Sequence, residues 1–523
     1  MRAIKFQHKA QAYQSWLGIG FLILFALLYC LSALISPFWS DNDSWSNLLP
    51  VIHFRQSILE QHTLPLYTDL WYGGRAQWAN PLWNFLYLPS TIVWLVFPLD
   101  WGTRIVFIGH IIFSLLAGRS LASLYLKSEN EKVAAGILFT SPILPVLSAG
   151  HVEKVMSWGW VLLALYFLLN TKLTPMQRGL AAGLCLGIVP LTGSNYYTFY
   201  SVILLFPLVS SFREIKLLYS FCLGSLVGLL HLVSVWEMIG NGRVHAKTFI
   251  EAYSVDLWAS VMALSTGFSK PLSWETWSPI GILTLCLFGL MLGKKVVAAS
   301  TSGKSDISAQ EIALLFSGIV LLLLATGFAY KNHSWFDLFR VPARALAFVA
   351  IVILLFILFN ARKAVERSFI RYPTLQFVLL ISAVQVVTSA WFIKPQGSDH
   401  SPYDKSVQRL ANVLIADHAK SVWLSTHHLA DMYIHVGLTA NHLSLPNVYY
   451  GDMGQEIKIT GTYCGYSFDH LIAFSPLQTH RIELVADPEW SNTNGEIPMD
   501  SLSLVEQVEI DDKILYVYRV ICN

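Results

Sequence analysis

Apolar segments close to the length an α-helix needs to cross a hydrocarbon core about 30 Å thick recur along the chain. They fall near residues 16–38, 104–126, 133–149, 155–170, 179–195, 196–212, 217–239, 278–293, 312–330, 344–361 and 374–394. Eleven crossings with the N-terminus inside place Lys127 and Lys132, Lys172 and Arg178, Arg213 and Lys216, Lys294, Lys295 and Lys304, and then Arg362, Lys363, Arg367 and Arg371 on the inner side. That bias is the positive-inside pattern of a cytoplasmic face, and it leaves the C-terminus outside. A twelfth apolar stretch, Pro81 to Pro98, breaks the register if it crosses. Its Pro81, Pro89 and Pro98 with Trp83, Tyr87 and Trp94 suit a segment lying at the headgroup level.

The outward segments are 39–80, the short loops Gly150–Lys154 and Thr192–Tyr196, 240–277 and 331–343; they hold most of the remaining polar content. Beyond Lys394 hydropathy falls. Tyr403–Asp417, with Val407, Leu410, Val413 and Leu414 at helical spacing, predicts an amphipathic helix, and Ser421–Ser425 and Ile514–Val520 predict strands. The expected architecture is an all-α polytopic membrane domain over 1–394, with a first outer loop at 39–103, followed by a small extracytoplasmic α/β domain over 395–523.

Composition sharpens this reading. A chain of 523 residues with 54% hydrophobic and 13% charged residues and a mean hydropathy of +0.51 is too apolar for a soluble globule. A net charge of +2 and the lack of any basic run give no support to a nucleic-acid partner. The basic start, Arg2, Lys5 and Lys9, looks like a signal n-region, but the apolar stretch behind it is long and has no small-residue cleavage site, so it reads as a retained first helix in the plasma (inner) membrane. Cys30, Cys185, Cys222 and Cys286 lie in apolar runs. Cys464 and Cys522 are the two cysteines of the outer domain and are candidates for a disulfide, because thiols on that side meet an oxidising environment. No Cys/His spacing resembles a zinc site, and no residue is assigned to a metal.

Candidate chemistry gathers in the outward loops. Ser40–Asn47 carries Asp41 and Asp43 where the first span leaves the bilayer, and ionisable groups at such a place are commonly functional. Asp43 precedes a helical pattern (Leu48, Leu49, Ile52, Leu59) and suits its N-cap, which makes Asp41 the better candidate for a general base. The loop continues through Pro65-Leu66-Tyr67, Tyr72-Gly73-Gly74-Arg75 and Trp78-Ala79-Asn80-Pro81; its tryptophans fit sugar stacking and an interfacial aromatic belt equally well. Arg340 and Arg344 are four residues apart and share a face if the next helix begins before Pro342. Two guanidiniums so placed match a phosphate, while the competing reading is snorkelling to headgroups. A transporter or flippase of a lipid-linked or glycan substrate is a second reading, disfavoured by charges that cluster in outer loops rather than at mid-membrane. A non-catalytic docking protein for cell-envelope assembly is a third.

Taken in order, Asp41-Asn42-Asp43 after the first helix, Pro65-Leu66-Tyr67, Gly73-Gly74, Asn80-Pro81-Leu82, Gly150-His151 at a helix end, and Phe339-Arg340-Val341-Pro342-Ala343-Arg344 resemble segments of the GT-C superfamily, integral membrane glycosyltransferases that use polyprenyl-phosphate-linked sugars, and in particular its YfhO-like bacterial members. The resemblance covers most of residues 16–394. It implies an inverting transfer at the outer membrane face from a polyprenyl-phosphate-linked donor to a hydroxyl of a glycan, lipid or protein acceptor. Asp41 would be the base, with Asp43 as the competing assignment. Arg340 and Arg344 would hold the donor phosphate, and His151, Glu153 and Arg75 would line the substrate. No nucleotide or other cofactor is called for, and a divalent cation is left open; no phosphate-cradling glycine loop accompanies Gly73-Gly74.

Overall fold

The computed structural model describes residues 2–31, 42–68, 75–76, 84–144, 151–229, 231, 254–266, 279–302, 307–328, 342–366, 372–392, 405–419, 422–424, 438, 470–473, 481–484, 495–498, 502–510 and 513–520. The chain divides into two compact units. The first comprises Met1–Leu34, Thr103–Leu232 and Ala246–Pro395; the second comprises Ile35–Gly102, Val233–His245 and Gln396–Asn523.

The first unit is a helical bundle. Its helices are α1 (Arg2–Tyr29), most of α4 (Leu99–Ala122), α5 (Glu129–Thr140), α6 (Val152–Leu169), α7 (Pro175–Leu191), α8 (Asn195–Ser211), α9 (Ile215–Ser225), α10 (Leu257–Thr266), α11 (Ile282–Ser302), α12 (Ala309–Ala325), α13 (Leu346–Glu366) and α14 (Tyr372–Phe392). Among the described residues five helices are long and apolar enough to cross a membrane: Leu99–Ala122, Val152–Leu169, Ile282–Ser300, Ala343–Ala361 and Pro373–Ala390. Several starts are written locally. Thr174 and Gln177 form a capping box ahead of α7, with Pro175 in the first turn, and Ser308 and Glu311 form one ahead of α12. Both Glu311 carboxylate oxygens also accept from Lys295 Nζ at 2.8 Å, tying α11 to α12.

The tightest pairing joins α7 to α9. Gly179, Gly183 and Gly187 repeat every fourth residue on α7, and a Cβ on Gly183 would lie 2.2 Å from the Phe221 carbonyl oxygen. Facing them, a Cβ on Gly224 would lie 2.6 Å from the Leu180 carbonyl oxygen. Small residues at this spacing let two backbones touch, which is the route to helix association where lipid removes the hydrophobic drive.

Residues 240–277, expected as an outward loop, contain α10, whose 10 residues span about 15 Å, half of a bilayer core. Asp256 starts it by accepting the Ala259 N–H at 2.6 Å. Its last carbonyls are met from α14, where Gln385 Nε2 donates to the Ser265 oxygen at 2.9 Å and Ser389 Oγ donates to the Thr266 oxygen at 3.3 Å. Gln385 Oε1 in turn accepts the Ile282 N–H that opens α11, at 3.1 Å. A helix ending inside the bundle needs such partners, because its terminal groups have no water to turn to.

In the second unit, α2 (Asn42–Arg55) runs on into a π-helical turn at Gln56–Glu60, and a two-stranded ribbon pairs β1 (Tyr67–Thr68) with β2 (Arg75–Ala76). The apolar stretch Pro81–Pro98 yields α3 (Leu88–Val96), nine residues or about 14 Å, too short to cross. Leu88, Ile92 and Val96 form its exposed face and Trp94 its buried one, packed on Phe54 of α2 with ring centroids 6.1 Å apart. The C-terminal part holds α15 (Lys405–Ala416) and the strands β3 (Val422–Leu424), β4 (His470–Ala473), β5 (Arg481–Leu484), β6 (Gly495–Pro498), β7 (Leu502–Ile510) and β8 (Lys513–Val520). One mixed sheet runs β3-β4-β8-β7, with β3 parallel to β4 and the other pairs antiparallel; β5 and β6 form a separate ribbon. Val407, Leu410, Ala411 and Leu414 are the buried stripe of α15, and Arg409 reaches Glu506 of β7 at 2.8 Å. The amphipathic pattern and both predicted strands therefore lie where the sequence put them, within a residue or two.

Candidate functional site

Three helix N-termini, those of α6, α8 and α13, meet at one end of the first unit. The chain enters α6 at His151, reverses between α7 and α8 through Thr192–Ser194, and enters α13 through a 3₁₀ turn, Pro342–Ala345. Gly193 permits the reversal, since its φ of 84° lies in the left-handed region that side chains disfavour. Aromatic packing fixes the three ends. Trp158 of α6, Tyr197 of α8 and Phe348 of α13 surround one another with ring centroids 5.3–5.4 Å apart, and Trp158 Nε1 donates to the Phe139 oxygen at 2.8 Å. Thr192 Oγ1 donates to the Glu153 carbonyl at 3.3 Å, joining the α7–α8 turn to the first turn of α6.

A buried ion pair lies at this end. Glu153 Oε1 receives Lys154 Nζ at 2.9 Å and lies 3.1 Å from His151 Nδ1, with side-chain exposures of 6% for Glu153 and 2% for Lys154. Arg344 lies with Cζ 4.6 Å over the centre of the Tyr196 ring. Lys154 and Glu153 cancel as a closed pair, so it is the partial positive charge of the three helix N-termini together with Arg344 that lets this end favour an anion.

The structure brings together three of the segments that sequence marked: His151–Lys154, Thr192–Tyr196 and Arg344. It adds Ser194, Asn195 and Tyr196, to which the sequence reading gave no chemistry; a polar triplet in a short turn between two apolar helices on the outer side was the signal. Arg340 lies outside the described residues. Residues 342–345, which carry Arg344 into α13, form a 3₁₀ turn. Asp41 also lies outside the described residues. Asp43 lies in the helical backbone of α2, which begins at Asn42, so it occupies the first turn rather than the cap position expected for it. Arg75 is placed as backbone only, paired with Thr68 in the β1–β2 ribbon. Cys464 and Cys522 lie outside the described residues. Among the described residues no three His, Cys, Asp or Glu side chains gather as metal ligands.

A second polar cluster, around the buried Arg178, marks the opposite end. Arg178 Nε donates to the Leu168 oxygen at 2.9 Å, its Nη1 lies 3.7 Å from Glu214, and its guanidinium covers the Phe212 ring at 4.4 Å. These bonds close the α6–α7 turn and are a structural staple.

No protein-family signature matches the chain, and no curated protein matches it in sequence. Solved structures do. The oligosaccharyltransferase of Archaeoglobus fulgidus, tethered to an acceptor peptide containing the NVT sequon, is 13% identical with a TM-score of 0.50; the match covers 88% of this chain and 69% of that one. The same enzyme in complex with Zn and sulfate gives 13% and 0.50 over 87% of this chain and 67% of that one. The arabinofuranosyltransferase AftD from Mycobacteria gives 13% and 0.53 over 98% of this chain, which spans only 42% of the mycobacterial protein.

Proposed function

We propose, from the GT-C fold that this chain shares with those membrane glycosyltransferases, that the protein moves a sugar from a polyprenyl-phosphate-linked donor to an acceptor hydroxyl on the outer face of the membrane. The assignment to the YfhO-like bacterial group, the eleven crossings, the inner-membrane location, and a transmembrane domain over 1–394 with an extracytoplasmic domain over 395–523 belong to the same proposal. The observation that carries it is the convergence of three helix N-termini with Arg344, an end that favours an anion on the predicted outer side.

In this reading Arg344, together with Arg340, holds the donor phosphate through charge-assisted hydrogen bonds. Asp41 takes the proton of the acceptor hydroxyl as its oxygen bonds to the anomeric carbon. The bond from that carbon to the phosphate oxygen breaks on the opposite side, inverting the centre and releasing polyprenyl phosphate. Negative charge grows on the departing phosphate, where guanidinium groups and helix N-termini are already oriented, so they stabilise the transition state more than the ground state. The acceptor is a glycan, lipid or protein hydroxyl, with His151, Glu153 and Arg75 lining the substrate. The zinc in the structure of the archaeal enzyme supports a divalent cation as an addition to this reading, although among the described residues no three His, Cys, Asp or Glu side chains gather to hold one.

The test uses full-length protein in liposomes with undecaprenyl-phosphate-linked radiolabelled hexose. Wild type should move label from the polyprenyl fraction to an acceptor or to water. Arg344→Lys, which keeps the charge but loses the planar fork and the stack on Tyr196, should slow this at least tenfold with a raised KM. Unchanged KM and rate in Arg344→Lys would return the residue to a headgroup anchor. Intact donor carried across the bilayer without release of sugar would favour the flippase.

A further inference from the structure

The α7–α8 turn holds polar groups that its own fold leaves unused. Ser194 stands at the N-cap of α8, where a serine ordinarily accepts a backbone N–H and adds about 1 kcal/mol. Here its side chain makes no cap bond, and its Oγ is buried with no hydrogen-bond partner among the described residues, in a residue only 2% exposed. Beside it Asn195 Oδ1 is likewise buried without a partner. Across the Thr192–Glu153 bond, Glu153 commits Oε1 to Lys154 and His151, while Oε2 is buried and receives nothing from the described residues. Buried oxygens of this kind cost about 1–3 kcal/mol each when left unmet, so three at the adjoining starts of α6 and α8 describe a site whose partners arrive with a ligand.

The chemistry of the three atoms selects that ligand. A carboxylate oxygen and an amide oxygen accept hydrogen bonds, and a serine hydroxyl accepts or donates. A phosphate offers mainly acceptors and would meet its own kind here. A polyol offers O–H donors to all three. The neighbouring Tyr196 carries Arg344, the residue proposed to hold the donor phosphate, one position along the same turn.

We propose that Ser194, Asn195 and Glu153 Oε2 form the subsite that reads the hydroxyls of the donor's sugar, making the α7–α8 turn the specificity element of the transferase. This rests on the lipid-linked-donor reading for its choice of ligand. It makes Ser194 and Asn195 binding residues for the glycosyl group, distinct from the phosphate-holding arginine and from the aspartate base.

The experiment compares three probes on the full-length protein in nanodiscs: undecaprenyl phosphate, undecaprenyl phosphohexose, and free methyl hexosides. Binding is read by native mass spectrometry and thermal shift. Wild type should hold the sugar-bearing lipid at least tenfold more tightly than the bare phosphate lipid. Ser194→Ala and Asn195→Leu should lose that advantage while still holding undecaprenyl phosphate, and Asn195→Asp, which keeps an acceptor oxygen, should retain most of it. Equal binding of the two lipids by wild type, or an undiminished advantage in both Ser194→Ala and Asn195→Leu, overturns the proposal. A wild type that ignores undecaprenyl phosphate but is stabilised by a methyl hexoside, with Asn195→Leu unresponsive, upholds the sugar subsite and defeats the lipid-donor reading.

Discussion

Replacing Lys154 with methionine should cost this protein about 3–5 kcal/mol, the usual result of removing one partner from a buried ion pair. Lys154 Nζ lies 2.9 Å from Glu153 Oε1, and neither side chain is more than 6% exposed. At an effective dielectric of about 20 the attraction across that distance is roughly 6 kcal/mol, and the desolvation of two ions offsets much of it. The pair therefore adds little net stability, yet its half is expensive. Lys154→Met leaves the carboxylate buried with His151 at 3.1 Å as its remaining described neighbour, whereas Glu153→Gln with Lys154→Met removes both charges and keeps the volume. Thermal inactivation in detergent, read as loss of monodisperse protein, should place Lys154→Met several degrees below wild type. The double variant should recover more than half of the drop. A Lys154→Met variant as stable as wild type, or a double variant no better than Lys154→Met alone, would refute this account of the pair.

Gly183→Ala puts a Cβ 2.2 Å from the Phe221 carbonyl oxygen, and the strain should exceed the gain of about 1 kcal/mol in helix propensity, for a net loss of about 1–3 kcal/mol; Gly289→Ala, with nothing within 4 Å, is the control and should be neutral or stabilising by the same thermal assay. Asp41→Asn should keep donor binding and lose transfer by about a hundredfold or more, the scale of a general base, while Asp43→Asn should cost far less; the reverse order in a radiolabel transfer assay would exchange their roles. Cys464 and Cys522 should form a disulfide worth about 4 kcal/mol to the C-terminal part of the chain in the chain-entropy model, and two alkylatable thiols in mass analysis of the unreduced protein would end that expectation.

What could be read from the chain was what depends on neighbours in sequence. A run of apolar side chains pays no penalty in lipid only as a helix, so segment length alone placed α4, α6, α7, α8, α12, α13 and α14 to within about five residues at each end. Capping boxes at Thr174 and Ser308 are also local, and so is the stripe Val407, Leu410, Leu414 that made α15 amphipathic. Gly179, Gly183 and Gly187 were equally legible as a four-residue repeat, although nothing in the sequence said that α9 would meet them. The helix at α10 is not legible locally, because its terminal carbonyls are satisfied by Gln385 and Ser389, more than a hundred residues away. The candidate site shows the same division. Gly150–Lys154, Thr192–Tyr196 and Arg344 could be assigned one by one to the outer side, but that they form one end, with Tyr196 under Arg344 and Thr192 on Glu153, follows from how α6, α8 and α13 pack through Trp158, Tyr197 and Phe348. Hydrophobic length fixes where a helix lies along the membrane normal; side-chain fit between helices, which no one segment contains, decides which ends meet.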